Sequence, residues 1–332
     1  LTQAEAISEL IAAKSNKAAQ IAMAGIDGGI QNKINSLREV LIIQLSELEA
    51  RVDFEEDLPP LKEKSVLDKI KKVRLELNEL VRDSRRGKFI RQGIRIAITG
   101  LPNVGKSSLL NRVSRNNKAI VTDLPGTTRD VLESEIILKG VPVILIDTAG
   151  VREPKDKVEK IGIEKTHETI MNADLVIQVF DLSKGWGVKD QALLDLIPKD
   201  IKRIIVGNKV DLINNLDQEM FSPTSINLNE MDIKFSAFSG EGEELLINKI
   251  LCSCDSHDIN SLLTALNERQ SDLAKSASNS LTRTERVAEE NLPWDFWTID
   301  LREAVYKLGE ITGEEVNEAV LDQIFSKFCI GK

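Results

Sequence analysis

The sequence is short of cysteine, of long apolar runs and of positive net charge, and each shortage closes off a class of protein. Three cysteines in 332 residues, two of them in Cys252-x-Cys254, cannot staple a chain of this length. A disulfide scaffold is excluded, and a reducing, cytoplasmic setting is expected. No stretch approaches the roughly 18 consecutive apolar residues of a membrane helix, and the first residues lack the basic-then-apolar pattern of a secretory signal. No membrane role is expected. Internal repeats and low-complexity tracts are also missing. The chain opens on Leu1 rather than methionine, so a further segment is expected ahead of it.

The formal net charge is −9, distributed as +1 over residues 1–93, −3 over 94–251 and −7 over 252–332. Such a field repels nucleic acid, so any contact with it has to be local. The one basic cluster, Arg82, Arg85, Arg86, Lys88 and Arg91, reads as the solvated last turn of a helix, balancing its dipole. Hydrophobic residues at 42% and charged residues at 29% give a globular balance. The length suits two domains, or one domain split by an insertion.

Residues 1–93 read as helical. Ile7, Leu10, Ile11, Ala18, Ile21 and Ala22 fall on one amphipathic stripe, which Asp27-Gly28-Gly29 breaks or kinks. Leu37, Val40, Leu41, Ile43, Leu45 and Leu48 suggest a helix buried on most sides. The run from Asp53 to Asp57 and Pro59-Pro60 reads as a connection. Val66, Ile70, Val73, Leu77 and Leu80 resume the helical period, with Gly87 as its stop. From Ile94 the pattern becomes β-branched, with strands predicted at 94–98, 141–147, 175–181, 203–208 and 233–236. Lys139-Gly140 makes a hairpin of 132–138 with 141–147. Helices return from about Cys252 through Leu262, Leu263 and Leu266 to a final turn at Phe325 and Phe328. The expected architecture is an α/β fold, a mostly parallel sheet spanning 94–251, inserted into an all-α helical domain made of 1–93 and 252–332.

Gly100-Leu-Pro-Asn-Val-Gly105-Lys106-Ser107 fits G-x-x-x-x-G-K-[ST] between a strand and a helix, the context a phosphate-binding loop requires. Its glycines let backbone N–H groups close on a β-phosphate, Lys106 reaches the β/γ-phosphates, and the Ser107 hydroxyl ligates Mg²⁺. Asp147-Thr-Ala-Gly150 ends the next core strand, where Asp147 holds Mg²⁺ through water and the Gly150 amide senses a γ-phosphate. In Asn208-Lys209-Val-Asp211 a carboxylate can accept from guanine N1 and N2, a donor pair that adenine lacks. Ser236-Ala237 offers a backbone amide to the guanine O6. Four motifs in this order resemble the Ras-like class of GTPases. The residue after Gly150 is Val151, which cannot orient a water, so Glu159 is the candidate for that task. Asn103, with the carbonyls of Thr122 and Leu124, offers a cage for a monovalent cation, and Thr128 in Gly126-Thr127-Thr128-Arg129-Asp130 is the expected switch threonine closing on Mg²⁺.

Taken together, the sequence resembles the MnmE (TrmE) family of tRNA-modification GTPases along essentially its whole length. Asn103 with Gly126–Asp130, Asp147–Glu153 leading to Glu159-Lys-Ile-Gly162, and Leu308–Gly313 with the ending Cys329-Ile-Gly-Lys332 carry the likeness. The resemblance implies K⁺ as the neutralising cation, held by Asn103, Thr122, Leu124 and Thr127, and GTP hydrolysis in a homodimer of G domains with Glu159 acting on water. It implies GTP and GDP contacts from Asn103, Val104, Gly105, Lys106, Ser107 and Ser108, and from Thr122, Asp123, Leu124, Pro125, Gly126, Thr127 and Thr128. Asp147, Thr148, Ala149, Gly150, Asn208, Lys209, Asp211, Ser236 and Ala237 complete that set. It further implies an FAD-dependent MnmG-like partner and modification at C5 of the wobble uridine of certain tRNAs, with Cys329 required for that step. A tetrahydrofolate derivative would meet Lys332 only in the presence of the family's N-terminal domain. Two other readings stand beside it: a ribosome-assembly GTPase, which the acidic C-terminal segment disfavours, and a non-hydrolysing scaffold marked by Val151. Cys252, Cys254 and His257 are too few for a zinc site, and Trp294, Phe296 and Trp297 suggest helix packing.

Overall fold

Residues 1–54, 60–116, 132–147, 168–213, 231–254 and 262–314 are described by the structure, a computed structural model. In chain order the elements are α1 (Thr2–Ile11), α2 (Asn16–Ile26), α3 (Gly29–Phe54), α4 (Glu63–Gln92), β1 (Ile94–Thr99), α5 (Lys106–Asn116), β2 (Leu132–Leu138) and β3 (Val141–Asp147). They continue as β4 (Leu175–Asp181), α6 (Val188–Asp195), β5 (Lys202–Asn208), β6 (Ile233–Lys234), α7 (Glu243–Ser253), α8 (Glu268–Glu289) and α9 (Trp294–Thr312). The chain divides into two units, one of residues 1–91 with the chain from 258 onward, the other of residues 92–257. None of the described helices is long and apolar enough to cross a membrane.

The first unit is helical. The first stripe of the sequence folds as two helices rather than one, because the Ser15 hydroxyl accepts from the Ala18 N–H at 3.2 Å and starts α2 afresh. Ile11, at the frayed end of α1, is left 75% exposed instead of joining the core. In α3 the buried row is Ile34, Leu37, Leu41, Gln44, Leu48 and Arg51, at steps of three and four. One face is covered rather than most sides, and Ile43 points to solvent. That row meets Ile70 and Leu77 of α4, Leu281 of α8, and Leu301 and Leu308 of α9. Trp297 is buried, packs edge-on against Trp294 at 5.1 Å and donates to the Leu292 carbonyl, whereas Phe296 stays half exposed.

Gly87 does not stop α4. A Cβ there would lie 2.7 Å from Ala265 Cβ, so the glycine serves close packing. The helix runs on to Gln92, and Gly93, at φ +90°, supplies the left-handed turn. Arg91 is no solvated charge either. It donates from Nη1 to the Ala265 carbonyl at 3.1 Å and from Nη2 to the Leu266 carbonyl at 2.5 Å, and pairs with Glu9. Between α7 and α8 the described residues 262–267 form turns rather than the helix expected through Leu266. Ahead of them Glu5 receives Arg269 at 2.6 and 3.0 Å and Gln270 at 2.7 Å, which latches α1 to α8.

The second unit is a six-stranded sheet of order β2-β3-β1-β4-β5-β6, antiparallel between β2 and β3 and parallel elsewhere. Every residue of the central β4 is buried, as its unbroken Leu-Val-Ile-Gln-Val-Phe run requires of a strand covered on both faces. Phe180 and Trp186 meet edge-on at 5.2 Å under Leu194 and Ile197. Ile98 pairs with Asp147, and Asp181 pairs with Asn208. The C-terminal ends of β1, β3, β4 and β5 therefore form one rim. In such sheets ligands bind at that rim.

Candidate nucleotide site

The loop Gly100–Gly105 joins β1 to α5 at this rim. Gly100 has φ +145°, and a Cβ would come 2.1 Å from the Val179 carbonyl oxygen; Gly105 has φ +97°, and a Cβ would come 2.2 Å from Asn208 Nδ2. Both positions exclude side chains for steric and conformational reasons at once. Asn103 adopts φ 63° at the exposed tip, and its side chain makes no hydrogen bond among the described residues.

Lys106 opens α5 and is 6% exposed. Its Nζ curls back to donate to the carbonyls of Gly100 and Leu101, each at 2.8 Å. The adjacent Ser107 Oγ donates to Asp147 Oδ2 at 3.1 Å across the end of β3, and Asp147 is buried. A hydroxyl and a carboxylate at this separation are hard oxygen donors of the kind Mg²⁺ takes, and they fit that ion.

Asn208 is the strut of the rim. At 1% exposure it donates from Nδ2 to the Val104 carbonyl at 2.8 Å, while its Oδ1 accepts from the Ala237 N–H at 3.1 Å. One side chain thus clamps the phosphate loop to the 236–237 loop. The Ala237 amide foreseen for guanine O6 is engaged by Asn208 in this structure. Ser236 Oγ donates to Asp211 Oδ1 and fixes that carboxylate, whose second oxygen has no hydrogen-bond partner among the described residues. Lys209, in the left-handed region at φ 68°, donates to the Asn103 carbonyl at 2.8 Å and to Asp181 Oδ2 at 2.7 Å.

Two participants escaped the sequence reading. Burial pulls the Asp181 carboxyl upward, but hydrogen bonds from Lys209 and Ser183 outweigh it and hold the group below the usual aspartate range. Its only sequence signal is its place at the end of a core strand, in register with Asn208. Arg112 of α5 donates to Glu243 Oε2 at 3.0 Å and to the carbonyls of Phe238 and Ser239, bracing the segment after Ala237. Gly240 makes room for it, since a Cβ there would lie 2.0 Å from Arg112 Nη2.

The structure therefore brings Asn103, Val104, Gly105, Lys106, Ser107, Ser108, Asp147, Asn208, Lys209, Asp211, Ser236 and Ala237 to one end of one sheet. The switch residues Thr122–Thr128, then Thr148, Ala149 and Gly150, and Glu159, Cys329 and Lys332 lie outside the described residues. Cys252 is exposed, Cys254 is buried, His257 is outside the described residues, and no metal-holding cluster occurs among those described.

Comparison with known proteins decides the family. The profile of the MnmE helical domain matches residues 1–329. The chain belongs to the MnmE family. The tRNA modification GTPase MnmE of Prochlorococcus marinus strain MIT 9303 is 58% identical over 337 residues, covering the whole of this chain and 71% of that relative. The protein of the same name from Synechococcus sp. strain CC9605 is 56% identical over 332 residues and is 72% covered. Among solved structures, the G domain of the T. maritima FeoB iron transporter is 27% identical, with a TM-score of 0.35, over 48% of this chain and 98% of that one. MnmE membership makes the chain a GTP hydrolase, with a P-loop GTPase domain inserted in a helical one.

Proposed function

We propose that the chain couples GTP hydrolysis to tRNA modification, with the rim of the sheet as its nucleotide site. The observation that carries this reading is the Asn208 strut, which ties the phosphate loop to the loop that follows the base-reading carboxylate. Lys106 exchanges its two loop carbonyls for phosphate oxygens, Ser107 and Asp147 accommodate Mg²⁺ with Thr128, and Asp211 selects guanine. Mg²⁺, when bound, supplies charge to offset the β- and γ-phosphates. The G domain is taken as residues 94–251, set between the helical segments 1–93 and 252–332.

The finer reading follows the family resemblance. K⁺ is held by Asn103 with Thr122, Leu124 and Thr127, and supplies the positive charge that an arginine finger gives elsewhere. The exposed Asn103 side chain, without an internal partner among the described residues, supports a ligand role. Glu159 positions water in place of the residue that Val151 cannot be, within a homodimer of G domains. The product reaction is modification at C5 of wobble uridine with an MnmG-like FAD enzyme, dependent on Cys329, in the cytoplasm. The folate contact of Lys332 belongs to the longer protein.

Turnover of GTP measured in K⁺ and in Na⁺ tests the cation. The expected result is a rate at least about tenfold higher in K⁺, corresponding to about 1.4 kcal/mol of barrier, with the advantage lost in Asn103→Lys. Equal rates in the two salts refute the K⁺ assignment while leaving the GTP site intact.

A further inference from the structure

The nucleotide site leaves unused a strongly basic run of the sequence. Between residues 62 and 91 there are eleven lysines and arginines against five aspartates and glutamates, in a chain whose remaining residues sum to −15. The sequence reading saw only the second half of this run. In the structure the buried row of α4 is Val66, Ile70, Val73, Leu77, Leu80 and Ser84, and Lys64, Lys71, Lys72, Arg82 and Arg85 all lie on the opposite, exposed side. From Lys64 to Arg85 the stripe is about 32 Å long at 1.5 Å per residue.

The state of these cations sets them apart. Elsewhere in the same helical unit several long basic side chains are engaged: Lys33 with Glu76, Arg38 with Glu314, Arg283 with Asp300 and Glu303, and Arg302 with Glu49. On α4, Lys64, Lys71, Lys72 and Arg85 form no ion pair among the described residues, and Arg82 reaches Glu79 only at 3.9 Å with both side chains 68% exposed. Lys64 also lies in the first turn, where the helix dipole disfavours a cation. Like charges along one face repel, so the arrangement costs the free helix stability and returns nothing inside the fold.

We propose that the outer face of α4 binds the sugar–phosphate backbone of RNA, which on the reading above is tRNA. An extended row of unpaired cations suits a polyanion, and local binding of this kind overcomes the repulsion of an acidic chain. Among the outward residues of the stripe, Asp68, Leu75, Asn78 and Glu79 stand between the cations, which outnumber the two acids, and no exposed aromatic offers a stacking platform. Recognition is therefore of backbone and shape rather than base sequence.

The test is tRNA binding by the full chain across about 50 to 200 mM salt, for the wild type and for K64Q/K71Q/R82Q/R85Q. Glutamine has nearly the same helix propensity as lysine and arginine, so α4 is kept. Losing four phosphate contacts lowers the salt slope by about 3 and weakens binding by at least about tenfold at the lower salt. GDP affinity and helical circular dichroism stay at wild-type values, and R286Q, on α8, leaves tRNA binding unchanged. Unaltered slope and affinity in the quadruple variant overturn the inference while the proposed tRNA function stands. So does a variant that keeps tRNA but loses association with an acidic protein partner or a second copy. A wild-type chain that shows no salt-dependent tRNA binding overturns both.

Discussion

Two largely covered cations, one in each unit, make the same kind of bond at opposite ends of a helix. Arg91 lies in the last turn of α4 and donates to the carbonyls of Ala265 and Leu266. Lys106 lies in the first turn of α5 and donates to the carbonyls of Gly100 and Leu101. A cation gains roughly 0.3–1 kcal/mol at a helix C-terminus and is disfavoured by a similar amount at the N-terminus. Arg91 thus agrees with its helix and Lys106 does not. Glu9 pairs with Arg91, whereas the cluster of N–H groups at the start of α5 adds to the charge of Lys106. One cation completes a fold, and the other is the one proposed to meet a phosphate.

That contrast can be broken by exchanging each for methionine. For Lys106→Met the expected loss is in ligand affinity, on the order of 10³-fold for GTP or about 4 kcal/mol. Its melting temperature without nucleotide should stay within a few degrees of wild type. Arg91→Met should do the reverse: about 2 kcal/mol of stability is lost, because the carbonyls of Ala265 and Leu266 lose their charged donor and the half-covered Glu9 loses a nearby cation. Nucleotide affinity measured by titration should not move. A Lys106→Met protein that unfolds, or an Arg91→Met protein that cannot hold GTP, would abolish the distinction.

A smaller effect sharpens the same contrast within the nucleotide unit. Asp190 is buried in α6; burial raises its carboxyl above the usual range, although the N–H groups of Gly187 and of Asp190 itself act against it. Its Oδ1 and the Oε1 of Gln178 have no hydrogen-bond partner among the described residues. A raised folded value means that Asp190 stabilises fully below the ordinary aspartate pKa of about 3.9, and that this contribution is lost as pH rises through the raised value. Asp190→Asn keeps an acceptor for the Gly187 N–H and removes the charge. Thermal melts near neutral pH should show a gain of about 1 kcal/mol, and the difference from wild type should vanish in acid. Asp181 has the opposite sign, with its carboxyl held low by Lys209 and Ser183, so its support persists to more acidic pH than an ordinary aspartate allows.

What could be read from residues alone followed from how local the signal was. The phosphate loop was legible because its glycines, Lys106 and Ser107 are contiguous, and the hairpin because Lys139-Gly140 sits between two β-branched runs. The break before α2 was equally local, yet it rests on the Ser15 cap and was hidden by an apolar stripe that continues through it. Gly87 was misread because a glycine that ends a helix and one that admits a neighbour look alike until Ala265, far along the chain, is placed beside it. Asp181 has a local partner in Ser183, but it meets Lys209, as Arg91 meets Ala265 and Leu266, only through strand register and tertiary packing, which no spacing rule announces.

Guanine selection is proposed for the rim of the sheet, where Ser236 fixes Asp211 and Asn208 fixes the loops on both sides. Calorimetric titration of the chain with GDP and with ADP, in Mg²⁺, reads this directly. Adenine lacks the donor pair that a carboxylate can accept from guanine, so ADP should bind at least about 100-fold more weakly than GDP. Equal affinity for the two nucleotides, or none for either, would contradict it.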